Sequence, residues 1–212
     1  MTRRQAPEFD VRKIGQSSPL AGESNTITVT IQTNWYLAAT DSSVVTISGL
    51  TNAPDTPSLA LTSVGNSGAD LFSDGATQGK GALSSGTLRL TVHTGKTVLA
   101  GTQYAFSFTI TNPSSAQDAG TVIIAASGTA PFASAAMTTD TADVYGLTDG
   151  GKPLKVAVPT WRVAFGGCVF FSFSGPLERF GSCPTTGGVL DLSSKGITSV
   201  KNDSFAGMGA CT

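Results

Sequence analysis

The chain has one histidine, three glutamates and three cysteines among its 212 residues, so the inventory for acid–base, metal and thiol chemistry is small. His93 sits in Leu90-Thr91-Val92-His93-Thr94, on the face of a strand opposite Leu90 and Val92. A hydrolytic triad would need that imidazole beside a nucleophile, and the sequence has no GxSxG elbow. Glu8, Glu23 and Glu178 are scattered, with no pairing of the kind that glycoside hydrolysis uses across a cleft. Asp70, Asp74, Asp140, Asp143 and Asp149 could offer oxygens to calcium at a junction, but their spacing follows no calcium-loop pattern. No CxxC pair, HExxH or phosphate-cradling GxxxxGK occurs. These residues point away from an enzyme and call for neither a catalytic residue, a metal nor a cofactor.

Three other groups carry chemistry of recognition or covalent linkage. Cys168 and Cys183 are close enough in sequence for a disulfide, which would pin the segment between them. Asn202-Asp203-Ser204 is the only acceptor sequence for N-glycosylation, since Asn112 is followed by Pro113. Trp35 and Tyr36 are adjacent, and neighbours on a strand face opposite sides, so one ring is expected to be exposed. An exposed ring can stack on a sugar or pack against a neighbouring domain.

The elements that must position these residues are strands. Ile27, Val29 and Ile31 alternate with Thr26, Thr28 and Thr30, and the same period of two recurs at Val45/Ile47, Leu88/Leu90/Val92, Tyr104/Phe106/Phe108/Ile110 and Val122/Ile124. Turn-forming runs separate them, such as Gly65-Asn66-Ser67-Gly68 and Asn112-Pro113-Ser114-Ser115. This pattern predicts an all-β chain built on a two-sheet antiparallel sandwich. Tyr104, at the head of a core strand after the Gly101 turn, fits either a tyrosine corner or an ordinary buried tyrosine.

The end of the chain reads differently. Leu190, Leu192, Ile197, Val200, Phe205, Met208 and Cys211 fall on the apolar anchors of one leucine-rich repeat, although Lys195 stands where an asparagine usually caps the turn. One such repeat cannot bury its face alone, so it is expected to be the first, truncated unit of a longer array. The opening Met1-Thr2-Arg3-Arg4 has no apolar stretch and does not read as a signal peptide, so both ends are expected to be cuts. A weak internal repeat supports a modular chain: Pro7, Phe9, Val11 and Gly15 match Pro159, Trp161, Val163 and Gly167 at one offset (161 − 9 = 152).

Composition narrows the class further. Charged residues make up 13% of the chain, against roughly 25% in an ordinary domain, and the net charge is −1. There is no basic stripe for nucleic acid and no run of about 18 apolar residues for a membrane span. Threonine, serine and glycine in this proportion suit an extracellular or cell-surface protein.

Taken together, Val11 to Pro19, Asn25 to Thr30, the Ile47-Ser48-Gly49-Leu50-Thr51 turn and Ala100 to Pro113 resemble an immunoglobulin-like repeat. Such repeats occur in tandem in large secreted or surface proteins of microalgae and other protists, sometimes beside leucine-rich repeats. The expected organisation is a linker from a preceding module (1–8), an immunoglobulin-like β-sandwich (9–130), an extended connector (131–158), a Cys-flanked β segment (159–187) and a leucine-rich repeat (188–212). The resemblance implies a structural or assembly module of a fibre or cell-surface appendage, partnered by neighbouring domains or copies of itself. The alternative is an adhesion or carbohydrate-recognition module, with glycans as ligand.

Overall fold

The computed structural model describes residues 6–128, 130–165, 168–173 and 178–181. The strands of the main body are, in chain order, β1 (Phe9–Gln16), β2 (Ser24–Thr33), β3 (Leu37–Ala38), β4 (Val44–Ser48), β5 (Thr56–Ala60), β6 (Thr62–Ser63), β7 (Phe72–Ser73), β8 (Lys80–Ser84), β9 (Thr87–Val92), β10 (Thr97–Val98), β11 (Tyr104–Thr111), β12 (Ile123–Ser127), β13 (Phe132–Ala136) and β14 (Thr138–Thr139). One sheet has the order β14-β1-β2-β11-β6, and the other β13-β12-β4-β9-β8-β5 with β7 also paired to β9. All of these pairings are antiparallel except β1 with β14. The all-β expectation holds, and the two sheets form a sandwich.

Alternation decides what each strand buries. Ile27, Val29 and Ile31 of β2 and Phe106, Phe108 and Ile110 of β11 meet Val45, Ile47, Leu88, Leu90 and Ile124 of the opposite sheet in one core. The rings of Phe72 and Phe106 cross edge to face at 5.6 Å, which ties the two sheets together. Each fully buried side chain of this size contributes about 1.5–3 kcal/mol, so the core dominates stability. β1 needs a correction of register to join it. Phe9 and Ile14 are both buried although the four residues between them would put them on opposite faces of a regular strand, because a bulge lies between Phe9 and Val11.

Gly49 shows why the Ile47-to-Thr51 turn contains a glycine. Its φ is +91°, and a β-carbon there would collide with the carbonyl oxygen of Thr121.

Residues 131–158 do not form an extended connector. β13 joins the second sheet beside β12, and after Met137 the chain crosses to the first sheet as β14 beside β1. Phe132 contributes to the core and packs its ring 5.0 Å from that of Phe9. The following segment folds back over one end of the sandwich, where Leu154 and Val156 are buried. Its Pro, Gly and Asp content disguises this, since its docking relies on backbone hydrogen bonds that leave no period in the sequence.

Beyond it, β15 (Trp161–Phe165), β16 (Cys168–Ser172) and β17 (Glu178–Gly181) form a separate antiparallel meander. Phe9 and Trp161, matched in the internal repeat, each open a strand. Cys183, the Asn202 acceptor and the leucine-rich-repeat anchors from Leu190 to Cys211 lie outside the described residues.

Candidate interaction surfaces

The two ends of β2 present different surfaces. At its start, three buried amides form a closed network. The Asn25 amide donates to Gln16 Oε1 (2.9 Å) and Asn112 Oδ1 (2.8 Å), while Asn25 Oδ1 accepts from the backbone N–H groups of Ser17 and Ser18, both at 3.2 Å. Asn112 donates onward to the carbonyls of Ser18 (2.9 Å) and Leu20 (3.0 Å). These residues occupy inward positions at the ends of their strands, where an apolar side chain would leave the turning backbone without partners.

Gln16 extends the network to the returning segment. Its amide donates to the carbonyls of Gly150 (2.9 Å) and Lys155 (2.8 Å), and its Oε1 accepts from Leu154 N (2.7 Å). Gln117 grips the same segment from the other side. It exchanges two backbone bonds of 2.9 Å with Val156, and its side chain donates to the carbonyls of Leu154 (2.9 Å) and Thr51 (3.1 Å). Ala157 then donates to Pro19 O (2.8 Å) and accepts from Ala21 N (3.1 Å). Leu154 holds φ at +57°, a strained value for leucine, and the bonds to its N–H and carbonyl from Gln16 and Gln117 fix it there. The chain is thus fastened through Ala157, four residues before β15 begins at Trp161.

The meander touches the fastened segment. Phe171 is buried, with its ring edge-on to Tyr145 at 5.3 Å and to Phe173 at 5.5 Å. Thr160 donates from both its N–H (2.8 Å) and its hydroxyl (2.9 Å) to Ser172 O, which brings the strand entry against the sheet. Phe171 therefore has its partner in the segment that follows β14. No sequence period marks Tyr145, so this contact was illegible in advance.

At the far end of β2, Trp35 and Tyr36 do not alternate across a strand. They lie in a bend between β2 and β3, where their rings stack at 5.9 Å with planes 23° apart. Trp35 packs on the core, and Tyr36 is 47% exposed. Because β3 pairs Leu37 with Val98, Leu99 falls opposite Tyr36, and it is 54% exposed. Both present apolar surface to solvent. Sequence reasoning missed Leu99, which becomes visible only through the β3 and β10 pairing.

The remaining candidates are dispersed. His93 follows β9 rather than lying in it, half-buried, with its N–H on Leu71 O at 2.8 Å. Among the described residues, no three His, Cys, Asp or Glu side chains converge as a metal site. Asp74 instead closes its own turn. The Ser58 hydroxyl (2.7 Å) and the N–H groups of Thr77 (2.8 Å) and Ala76 (3.0 Å) stabilise its carboxylate, holding its pKa down at about 2. Asp140 accepts from Ala142 N, Asp143 from Asp149 N, and Asp149 pairs with Lys152 at 2.7 Å, which lowers the Asp149 pKa. Tyr104 is buried at the head of β11. Among the described residues its hydroxyl has no hydrogen bond to the Gly101 turn, so the ordinary buried tyrosine is the arrangement found. No helix among the described residues is long and apolar enough to cross a membrane.

No family model matches the chain, and no curated protein matches it. Among solved structures it is similar to the sixth cohesin of Acetivibrio cellulolyticus scaffoldin B, solved in complex with a dockerin, at 17% identity and a TM-score of 0.31. That match covers 63% of this chain and 99% of the cohesin. It is also similar to BcpA, the major pilin subunit of Bacillus cereus, at 8% identity and a TM-score of 0.35, covering 91% of this chain and 68% of the pilin. At these scores neither likeness bears on what the chain does, and the architecture rests on its own strand pairing.

Proposed function

We propose that the chain is a non-catalytic structural module of an extracellular, repetitive protein, with an immunoglobulin-like sandwich acting as a rigid spacer between neighbouring units. The observation that carries this reading is the fastening of residues 150–157 to the sandwich by Gln16, Gln117, Pro19 and Ala21, immediately before the next strand. A free linker would let adjacent units swivel; a bonded one transmits orientation and load. The low charge and hydroxyl-rich surface suit an exported assembly, with neighbouring domains or further copies as partners. In this reading Cys168 and Cys183 form a disulfide that supports the entry to the leucine-rich repeat, and Asn202 carries a glycan.

Pulling on the two ends of the chain tests the spacer role. The expected trace shows the returning segment staying bound until the sandwich itself unfolds. A low-force release of roughly 60 Å before that event, the length of residues 140–157 drawn out, would refute it.

The adhesion alternative has one observation in its favour, the exposed face of Tyr36 beside Leu99. Glycan binding lost in Trp35→Ala, which removes the ring supporting Tyr36, would establish it. A glycan array with no binding would leave the structural reading standing.

A further inference from the structure

The outer face of the first sheet is a ladder of hydroxyls, and one part of it is concave. Thr28 and Thr30 of β2 stand beside Gly15 and Lys13 of β1, their partners in register. On the other side of β1, β14 places Thr138 against Lys13, and the chain then leaves the sheet at Asp140. Asp140 donates its N–H to Ile14 O (3.0 Å), its carboxylate caps Ala142 N (2.9 Å), and Gly151 N holds Ala142 O (2.9 Å). The turn is therefore fixed as a raised lip. Between lip and ladder lies a groove of about 430 Å³, within the size range of small-molecule sites.

Its lining is unusual in what it leaves unused. The hydroxyls of Thr28, Thr30, Thr138, Thr139 and Thr141 have no partner within the described protein, and neither does the Lys13 ammonium. Each hydroxyl can donate and accept, the ammonium only donates, and Asp140 can accept. Gly15 lies at the floor. A glycine inside a strand weakens it and often marks close approach of a ligand, and here no positive φ requires one. A β-carbon at this position would stand 3.0 Å from Asp140 Cβ, so any side chain would press on the lip and narrow the groove.

We propose that this groove binds an acidic saccharide, with the sugar carboxylate on Lys13 and its hydroxyls on the threonines and Asp140. The chemistry disfavours a peptide strand, a lipid and a nucleobase. A peptide strand adds at a sheet edge, whereas the floor here is a sheet face whose backbone groups are already paired. A lipid or nucleobase needs apolar or aromatic walls, and no aromatic residue lines the groove. The site is independent of the spacer role and separate from Trp35 and Tyr36.

The probe is trigalacturonate, with neutral maltotriose as comparator, followed by amide chemical shifts of the whole chain. Trigalacturonate is expected to shift Lys13, Thr28, Thr30 and Thr138 to Asp140, binding at least about tenfold more tightly than maltotriose, as loss of a charge-assisted bond implies. Lys13→Met should weaken it by about tenfold or more, and Thr30→Val by about threefold to tenfold. Gly15→Ala should also weaken it while leaving the unfolding transition in place, which separates a filled groove from a damaged fold. The proposal is overturned if millimolar trigalacturonate shifts none of these amides, if the shifts map to Trp35 and Tyr36, if maltotriose binds equally well, or if the folded variants bind like the parent.

Discussion

The two ends of β2 close the sandwich by opposite means. At Asn25 the closure is polar and completely paired: three amides satisfy one another and hold the returning chain. At Thr33 the closure is apolar, with Trp35 on the core and Tyr36 and Leu99 facing out, and the buried Thr33 hydroxyl has no partner among the described residues. The difference teaches where specificity resides. An apolar cap tolerates shifts of its members, whereas a buried amide network accepts one arrangement and costs heavily when a member is lost. The amide end also leads into the next sheet, so the end that must fix an orientation is the one built from directional bonds.

Substitutions can break this contrast in a graded way. Asn25→Ala should have the largest effect, about 3 kcal/mol lost in chemical denaturation, because it strands the Ser18 N–H and the Asn112 side-chain oxygen and takes a second bond from the Ser17 N–H and Gln16 Oε1. Gln16→Ala should cost about 2 kcal/mol and, in addition, release the segment locally. The readout is tryptic cleavage after Lys155, whose ammonium is engaged by Thr148 O at 2.7 Å and whose carbonyl is held by Gln16. At the other end the sign reverses. Thr33→Val keeps the shape and removes an unpaired hydroxyl, so a gain of about 1 kcal/mol is expected in the same assay. Tyr36→Ser should change stability least, within about 0.5 kcal/mol, since half the side chain is already in water. An equal loss at Asn25 and Tyr36 would erase the distinction between the ends.

The same contrast explains what could be read from the sequence. The strands around Ile27, Val45, Leu88, Phe106 and Ile124 were legible because burial of one face imposes a period of two. β1 was only half legible, since the bulge after Phe9 breaks its phase. Gln16, Asn25 and Asn112 read as ordinary turn or strand-end polars, because an amide's partners lie far away in sequence: Gln16 bonds residues 150 to 155. For that reason the returning segment looked like free connector. Trp35 and Tyr36 were identified as a surface feature, but a bend rather than a strand sets their geometry, and their rings stack instead of diverging. The groove at Lys13 was hidden for a related cause, as it depends on the parallel pairing of β14, a strand of two residues.

The central claim is that residues 150–157 belong to the folded sandwich, and native-state hydrogen exchange tests it most directly. The amides of Gly151, Leu154, Val156 and Ala157, which donate to Ala142 O, Gln16 Oε1, Gln117 O and Pro19 O, should exchange with the same opening free energy as those in β2 and β11. Exchange of these four amides at the rate of unstructured peptide, while the core strands remain protected, would contradict the account.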